Sequence, residues 1–182
     1  MFDRMERIYW NTRLDLMGIQ HGKTLSLIPP VYFRVNNGGI ISLGDNVSLN
    51  TNTTISAANH GTIQISNNVS IGQNTVIRAS NHNYESGNGH IPGSIVVEDE
   101  VWIGANCVIL PRVRIGKGAV IGAGSIVTKD IPSNVVAVGN PCKPIKEIER
   151  TSAVFEKEWK DQIGEDAVIP TTEERESCQT HS

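Results

Sequence analysis

Six aliphatic residues fall at an unbroken interval of six: Val97, Ile103, Ile109, Ile115, Ile121 and Val127. Four positions after the first five stand Val101, Cys107, Val113, Ala119 and Ser125, all small or β-branched. A period of six is commensurate with neither an α-helix nor a coiled coil. Alternating strands and helices do not produce it either. The interval specifies a short structural unit stacked on copies of itself.

The unit reads aliphatic-Gly-x-x-small-x in IGANCV (103–108), IGKGAV (115–120) and IGAGSI (121–126). This pattern resembles the hexapeptide repeat of the left-handed parallel β-helix. The resemblance implies a mainly β fold in which one hexapeptide forms one flat side of a triangular prism and three form a coil. The aliphatic residue points inward and the small residue sits inside a corner. Glycine suits the turn because it adopts conformations that other residues resist. The coils pair with one another, so the two ends need caps.

The same beat occurs earlier, at Leu43, Leu49 and Ile55, and again at Ile65, Ile71 and Ile77 after a slip of four. Between Ile77 and Val97 lie one repeat and a surplus at 83–96, rich in Gly, Asn and His. That surplus reads as a loop thrown out of the prism, the kind of segment on which binding residues sit. The prism is expected over 40–141, after an N-terminal helix and lead-in at 1–39. Phe2, Met5, Ile8, Tyr9 and Leu16 are near helical spacing and are expected to pack on the first coil. Ile145, Ile148, Phe155 and Trp159 suggest a C-terminal helix over 142–163, followed by a polar tail at 164–182.

A formal net charge of −3 leaves no electrostatic footprint for nucleic acid. No apolar run approaches the ~20 residues of a membrane span. The charged N-terminus is unlike a signal peptide. Cys107, Cys142 and Cys178 form neither a disulfide framework nor a zinc pattern, and a reducing cytoplasm fits them. Cys107 occupies a small inward position and reads as core. Asn46, Asn52 and Asn68 stand in glycosylation-like triplets, but Asn and Ser are also what repeat turns use. Gly122-Ala123-Gly124 lacks the third glycine and the βα unit of a dinucleotide site.

NHNY (81–84), PGSIVV (92–97) and the run from VWIGANC to IGAGSIVTKD and GNPCKPIKEI (101–148) resemble the hexapeptide-repeat acyltransferases. The similarity covers about residues 40–148 and is nearest the maltose, galactoside and polysaccharide O-acetyltransferase group. It implies acetyl-CoA as donor, a homotrimer with active sites between subunits, a sugar or glycan acceptor and no metal. The N-terminal segment is shorter than the helical domain of the maltose and galactoside enzymes. The 83–94 loop also has its own sequence, so acceptor recognition is expected to differ.

The resemblance assigns roles residue by residue. His82 matches the family's catalytic histidine. An alcohol is a poor nucleophile at neutral pH, and histidine is suited to take its proton as it attacks a thioester. Asn52 matches an acceptor-contacting asparagine, although a turn role explains it equally well. Tyr84 and Glu85 are candidates for orienting His82 or touching acceptor hydroxyls. Trp102 falls at the coenzyme cleft, and Ala105 and Ala123 give room for the pantetheine arm. Thr128 and Lys129 match a coenzyme-binding pair. Lys143 and Lys146 match basic positions that meet the CoA phosphates, with lysine keeping the charge but not the fork of arginine.

Other functions are compatible with the prism. N-acetylation of a nucleotide-linked amino sugar usually involves an additional nucleotide-binding domain. Antibiotic acetylation accompanies a long excursion loop and a C-terminal helical region, and the sequence offers a modest version of each. A γ-carbonic-anhydrase-like metal protein needs three histidines at an interface, and no suitably spaced pair joins His82. A non-catalytic scaffold would be expected to lose the base or the coenzyme positions. Both are present.

Overall fold

A computed structural model describes residues 4–149. Helix α1 (Arg4–Leu16) precedes five three-stranded coils. Coil one comprises β1 (Gln20–His21), β2 (Leu25–Leu27) and β3 (Val31–Asn36). Coil two comprises β4 (Ile40–Leu43), β5 (Val47–Leu49) and β6 (Thr53–Ala58), and coil three β7 (Thr62–Ile65), β8 (Ser70–Ile71) and β9 (Val76–Arg78). A hairpin of β10 (Ser80–His82) and β11 (His90–Pro92) follows. Coil four has β12 (Ser94–Val97), β13 (Trp102–Ile103) and β14 (Val108–Ile109). Coil five has β15 (Arg114–Ile115), β16 (Val120–Ile121) and β17 (Ile126–Val127). The chain ends its described part with β18 (Val135–Val138) and β19 (Lys143–Glu147).

Each strand of the five coils pairs in parallel with its counterpart one coil away, giving three faces. Face A contains β1, β4, β7, β12 and β15; face B contains β2, β5, β8, β13, β16, β18 and β19; face C contains β3, β6, β9, β14 and β17. The architecture is the left-handed β-helix expected from the hexapeptides. The aliphatic beat becomes three internal stacks. Leu27, Leu49, Ile71, Ile103 and Ile121 align inside face B, and Ile55, Ile77, Ile109 and Val127 inside face C. Leu43, Ile65, Val97 and Ile115 do so inside face A, and all these residues are buried. Buried aliphatic surface of this kind is the main source of stability.

The slip of four is a wider corner between faces C and A. Asn59 and His60 take left-handed conformations there, as Asn37 and Gly38 do one coil below. Asn37 donates its amide to Asn59 Oδ1 at 3.0 Å, across a separation of 22 residues. Asparagine tolerates positive φ better than most residues, which explains its abundance at the corners. The glycosylation-like asparagines belong to this scheme. Asn46 donates to Asn68 at 2.9 Å and Asn52 to Asn74 at 3.2 Å, all four at positive φ.

Three boundaries differ from those expected. The prism begins at Gln20, because β1, β2 and β3 already pair with coil two. The excursion is an antiparallel hairpin, and the prism resumes at Ser94 opposite Thr62. Residues 143–147 form a strand where a helix from 142 was expected. They turn back and pair antiparallel with β18, covering the last parallel edge. The rest of that expected helix and the 164–182 tail lie outside the described residues.

The N-terminal helix forms, but through a different face. Trp10 and Leu14, one turn apart, are buried at the open end of coil one, whereas Met5, Ile8, Tyr9 and Leu16 are exposed. Gly18 at φ 67° ends the helix: its N–H reaches Asp15 O, and the Ile19 N–H reaches Leu14 O. These two bonds form a Schellman cap.

Candidate active site

The repeat places the candidate residues in two groups at opposite edges of face C. The first group sits at the corner from face C to face A, where the chain leaves β9 for the hairpin. His82 and His90 are register partners there, both exposed, with ring centroids 4.5 Å apart. The hairpin tip holds itself: the Ser86 N–H reaches Asn83 Oδ1 at 3.1 Å and the Asn83 N–H reaches Gly89 O at 3.1 Å. Tyr84 is 85% exposed and Glu85 is exposed at the same tip. Thr128 and Lys129 directly follow β17 at this corner, also exposed.

The second group borders the corner from face B to face C. Ala105 and Ala123 occupy successive coils there, and the Gly124 N–H bonds Ala105 O at 2.8 Å. The coils touch closely along this edge. A Cβ added to Gly104 would lie 2.6 Å from Ala123 N, and one added to Gly72 would lie 2.6 Å from Ala105 N. Asn52 belongs to the same corner, lower in the prism, with its amide engaged by Asn74. Trp102 is 58% exposed on the outer surface of face B. Trp102, Val120, Val136 and Lys146 are successive cross-strand neighbours on that surface. Lys143 pairs with Val138 near the upper end of the corner.

A single chain therefore brings Trp102, Ala105, Ala123, Lys143 and Lys146 onto one surface. It brings His82, Tyr84, Glu85, Thr128 and Lys129 onto another. His90, like His21 and His60, has no role assigned from the sequence. Its pairing with His82 depends on the hairpin register, which the hexapeptide pattern does not encode.

Cys107 is buried, with its thiol donating to Gly122 O at 3.3 Å, and burial pushes its pKa up. It belongs to the core. Among the described residues no group of three or more His, Cys, Asp or Glu side chains is arranged to hold a metal. No described helix is long and apolar enough to cross a membrane.

The family model for bacterial transferase hexapeptides (six repeats) matches residues 94–129. A putative acetyltransferase of Schizosaccharomyces pombe is 60% identical over 55 residues, 30% of this chain and 27% of that protein. The galactoside O-acetyltransferase of Escherichia coli K12 is 42% identical over 142 residues, 76% of this chain and 69% of that protein. A crystal structure of a hexapeptide-repeat-containing acetyltransferase from Vibrio cholerae, complexed with acetyl coenzyme A, aligns with a TM-score of 0.67 at 28% identity. That alignment covers 82% of this chain and 80% of the Vibrio chain. The repeat, the prism and the extent of these similarities agree, and the chain belongs to the hexapeptide-repeat acetyltransferases.

Proposed function

We propose that this protein transfers acetyl from acetyl-CoA to a sugar hydroxyl, in surface-polysaccharide or glycoside metabolism in the cytoplasm. The observation that supports the reading is the division of the candidate residues between the two edges of face C. In this reading the histidine corner supplies the base. The Ala105–Ala123 corner supplies the coenzyme groove.

A homotrimer resolves this division. The outward rows of faces A and C differ in character. Face A presents Gln20, Ser42, Gln64, Val96 and Arg114. Face C presents Tyr32, Thr54, Val76, Val108 and Ile126, a β-branched and aromatic column suited to burial. Three copies with face C toward a common axis would set the His82 corner of one against the Ala105–Ala123 corner of the next. Each cleft would then contain a complete set. Thr128 and Lys129 would approach the coenzyme from the histidine side. Trp102, the two alanines, Lys143 and Lys146 would line it from the other, with Asn52 lower in the same cleft.

In the reaction, the acceptor hydroxyl oxygen attacks the thioester carbonyl carbon while His82 removes its proton. The tetrahedral intermediate carries an oxyanion that pre-aimed donors must stabilise. Its collapse breaks the carbon–sulfur bond. The imidazolium returns the proton to the departing CoA thiolate, leaving the sugar ester and free coenzyme.

The test is CoA release from acetyl-CoA across sugars, amino sugars and nucleotide sugars, with His82→Ala alongside. Release that needs a hydroxyl acceptor and falls by roughly 10²–10⁴-fold in the variant supports the proposal. Release with amino sugars alone replaces it with N-acetylation. Near-normal turnover in the variant removes the proposed base.

A further inference from the structure

We infer that the acceptor carries an anionic group, held by Arg78 with Arg34 beside it. This rests on the acetyl-transfer reading and names the substrate class for that site. Face C has a second outward row, nearer the histidine corner. Arg34 pairs with Ser56 and Ser56 with Arg78, so the two arginines lie in one column two coils apart. Strand spacing sets their backbones about 10 Å apart. The column continues through Leu110 to Thr128, the next residues after β14 and β17.

Arg78 stands four residues before His82, at most about 14 Å along the chain. One or two sugar units can bridge that interval. The Arg78 Nε donates to Ser80 O at 3.0 Å, at the start of the hairpin strand that carries His82. This bond holds the guanidinium against the hairpin, and among the described residues neither Nη group has a hydrogen-bond partner. A pre-oriented pair of Nη donors fits the two oxygens of a carboxylate or phosphate.

The surroundings leave this charge unanswered. Between coils four and five Arg114 pairs with Glu98, and Lys117 pairs with Glu100. Among the described residues, neither Arg34 nor Arg78 forms an ion pair, although both are exposed. Their immediate column neighbour is Ser56, which is uncharged. Two guanidinium groups without an ion pair among the described residues, in the column that leads to the hairpin of the proposed base, would favour an acidic sugar over a neutral one.

The experiment compares glucose, glucuronate and glucose 6-phosphate as acceptors for CoA release. Binding of glucuronate to the free protein is followed separately by saturation-transfer NMR. We expect a charged sugar to exceed glucose in kcat/KM by at least about tenfold, as a charged hydrogen bond implies. Arg78→Gln should erase that excess without changing the KM for acetyl-CoA, and Arg78→Lys should restore part of it. Preference for the phosphate alone would identify a phosphomonoester as the anion. Glucuronate binding that is lost in Arg78→Gln, without CoA release from any acceptor, would keep the anion subsite and reject acetyl transfer. Equal use of glucose, or a charged-sugar preference that survives Arg78→Gln, overturns the inference. Absence of both binding and preference overturns it as well.

Discussion

The imidazole rings of His82 and His90 face each other across the β10–β11 hairpin, 4.5 Å between centroids and inclined by 39°. An exposed histidine otherwise samples several rotamers, and a base held in one geometry is more effective. His90→Ala should therefore lower kcat by about tenfold, with little effect on the KM for acetyl-CoA. His90→Phe, which keeps a planar partner, should recover most of that loss. A steady-state comparison of the two variants separates ring contact from a general weakening of the hairpin.

Ala123 is exposed at an edge where adjacent coils already approach within contact distance. Ala123→Phe is expected to weaken acetyl-CoA binding by at least about tenfold. The thermal midpoint should stay near the parent value, because the side chain projects outward. Calorimetric titration with CoA measures the first quantity and a melting curve the second. Unchanged affinity would move the coenzyme groove elsewhere.

Ser80 is completely buried, and its hydroxyl has no hydrogen-bond partner among the described residues. A buried unsatisfied hydroxyl costs about 1–3 kcal/mol. Ser80→Ala should leave stability unchanged or raise it by up to about 1 kcal/mol, read from denaturant unfolding. Ile103→Ala is the opposite case. Ile103 is fully buried between Ile71 and Ile121, and a cavity there should cost about 2–5 kcal/mol in the same assay.

Glu98 joins coils four and five, accepting from Arg114 Nη1 and from the Lys117 backbone N–H. The Arg114 guanidinium, more than any other group, holds its carboxyl below the usual carboxylate range. A depressed native pKa adds stability above the unfolded-state value and loses it as pH falls through the native one. Glu98→Gln should therefore destabilise at pH 7 by less than about 1 kcal/mol, since the pair lies at the surface with both side chains partly exposed. The difference should shrink in acid and in high salt. Parallel pH titrations of the melting midpoint for parent and variant check both trends.

The prism was legible where the beat was pure. From Val97 to Val127 every coil takes three hexapeptides, so each aliphatic lands on its equivalent in the next coil. Coil one keeps the interval at His21, Leu27 and Phe33, but a polar first member and the pair Pro29-Pro30 conceal it. Strand β19 was hidden for another reason. Lys143 to Glu147 are exposed throughout, so no alternation marks them, and only the open edge of β18 gives them a partner. His82 stands out as a candidate through its local motif, NHNY. The division of candidate residues between two corners was not legible, because it follows from counting coils and not from any local pattern.

The corner that carries the hairpin is the corner at which coils one and two take their additional residues. Above it the ladder resumes with Ser94 opposite Thr62 and Val97 opposite Ile65, in step with the coils below. Length added at this corner is thus invisible to the rest of the solenoid. The hairpin tip can therefore change in length and sequence while the stacked coils stay intact. Homologues of this scaffold should diversify fastest at the hairpin tip, between positions 83 and 89. Engineers seeking new acylation targets have there a natural grafting port.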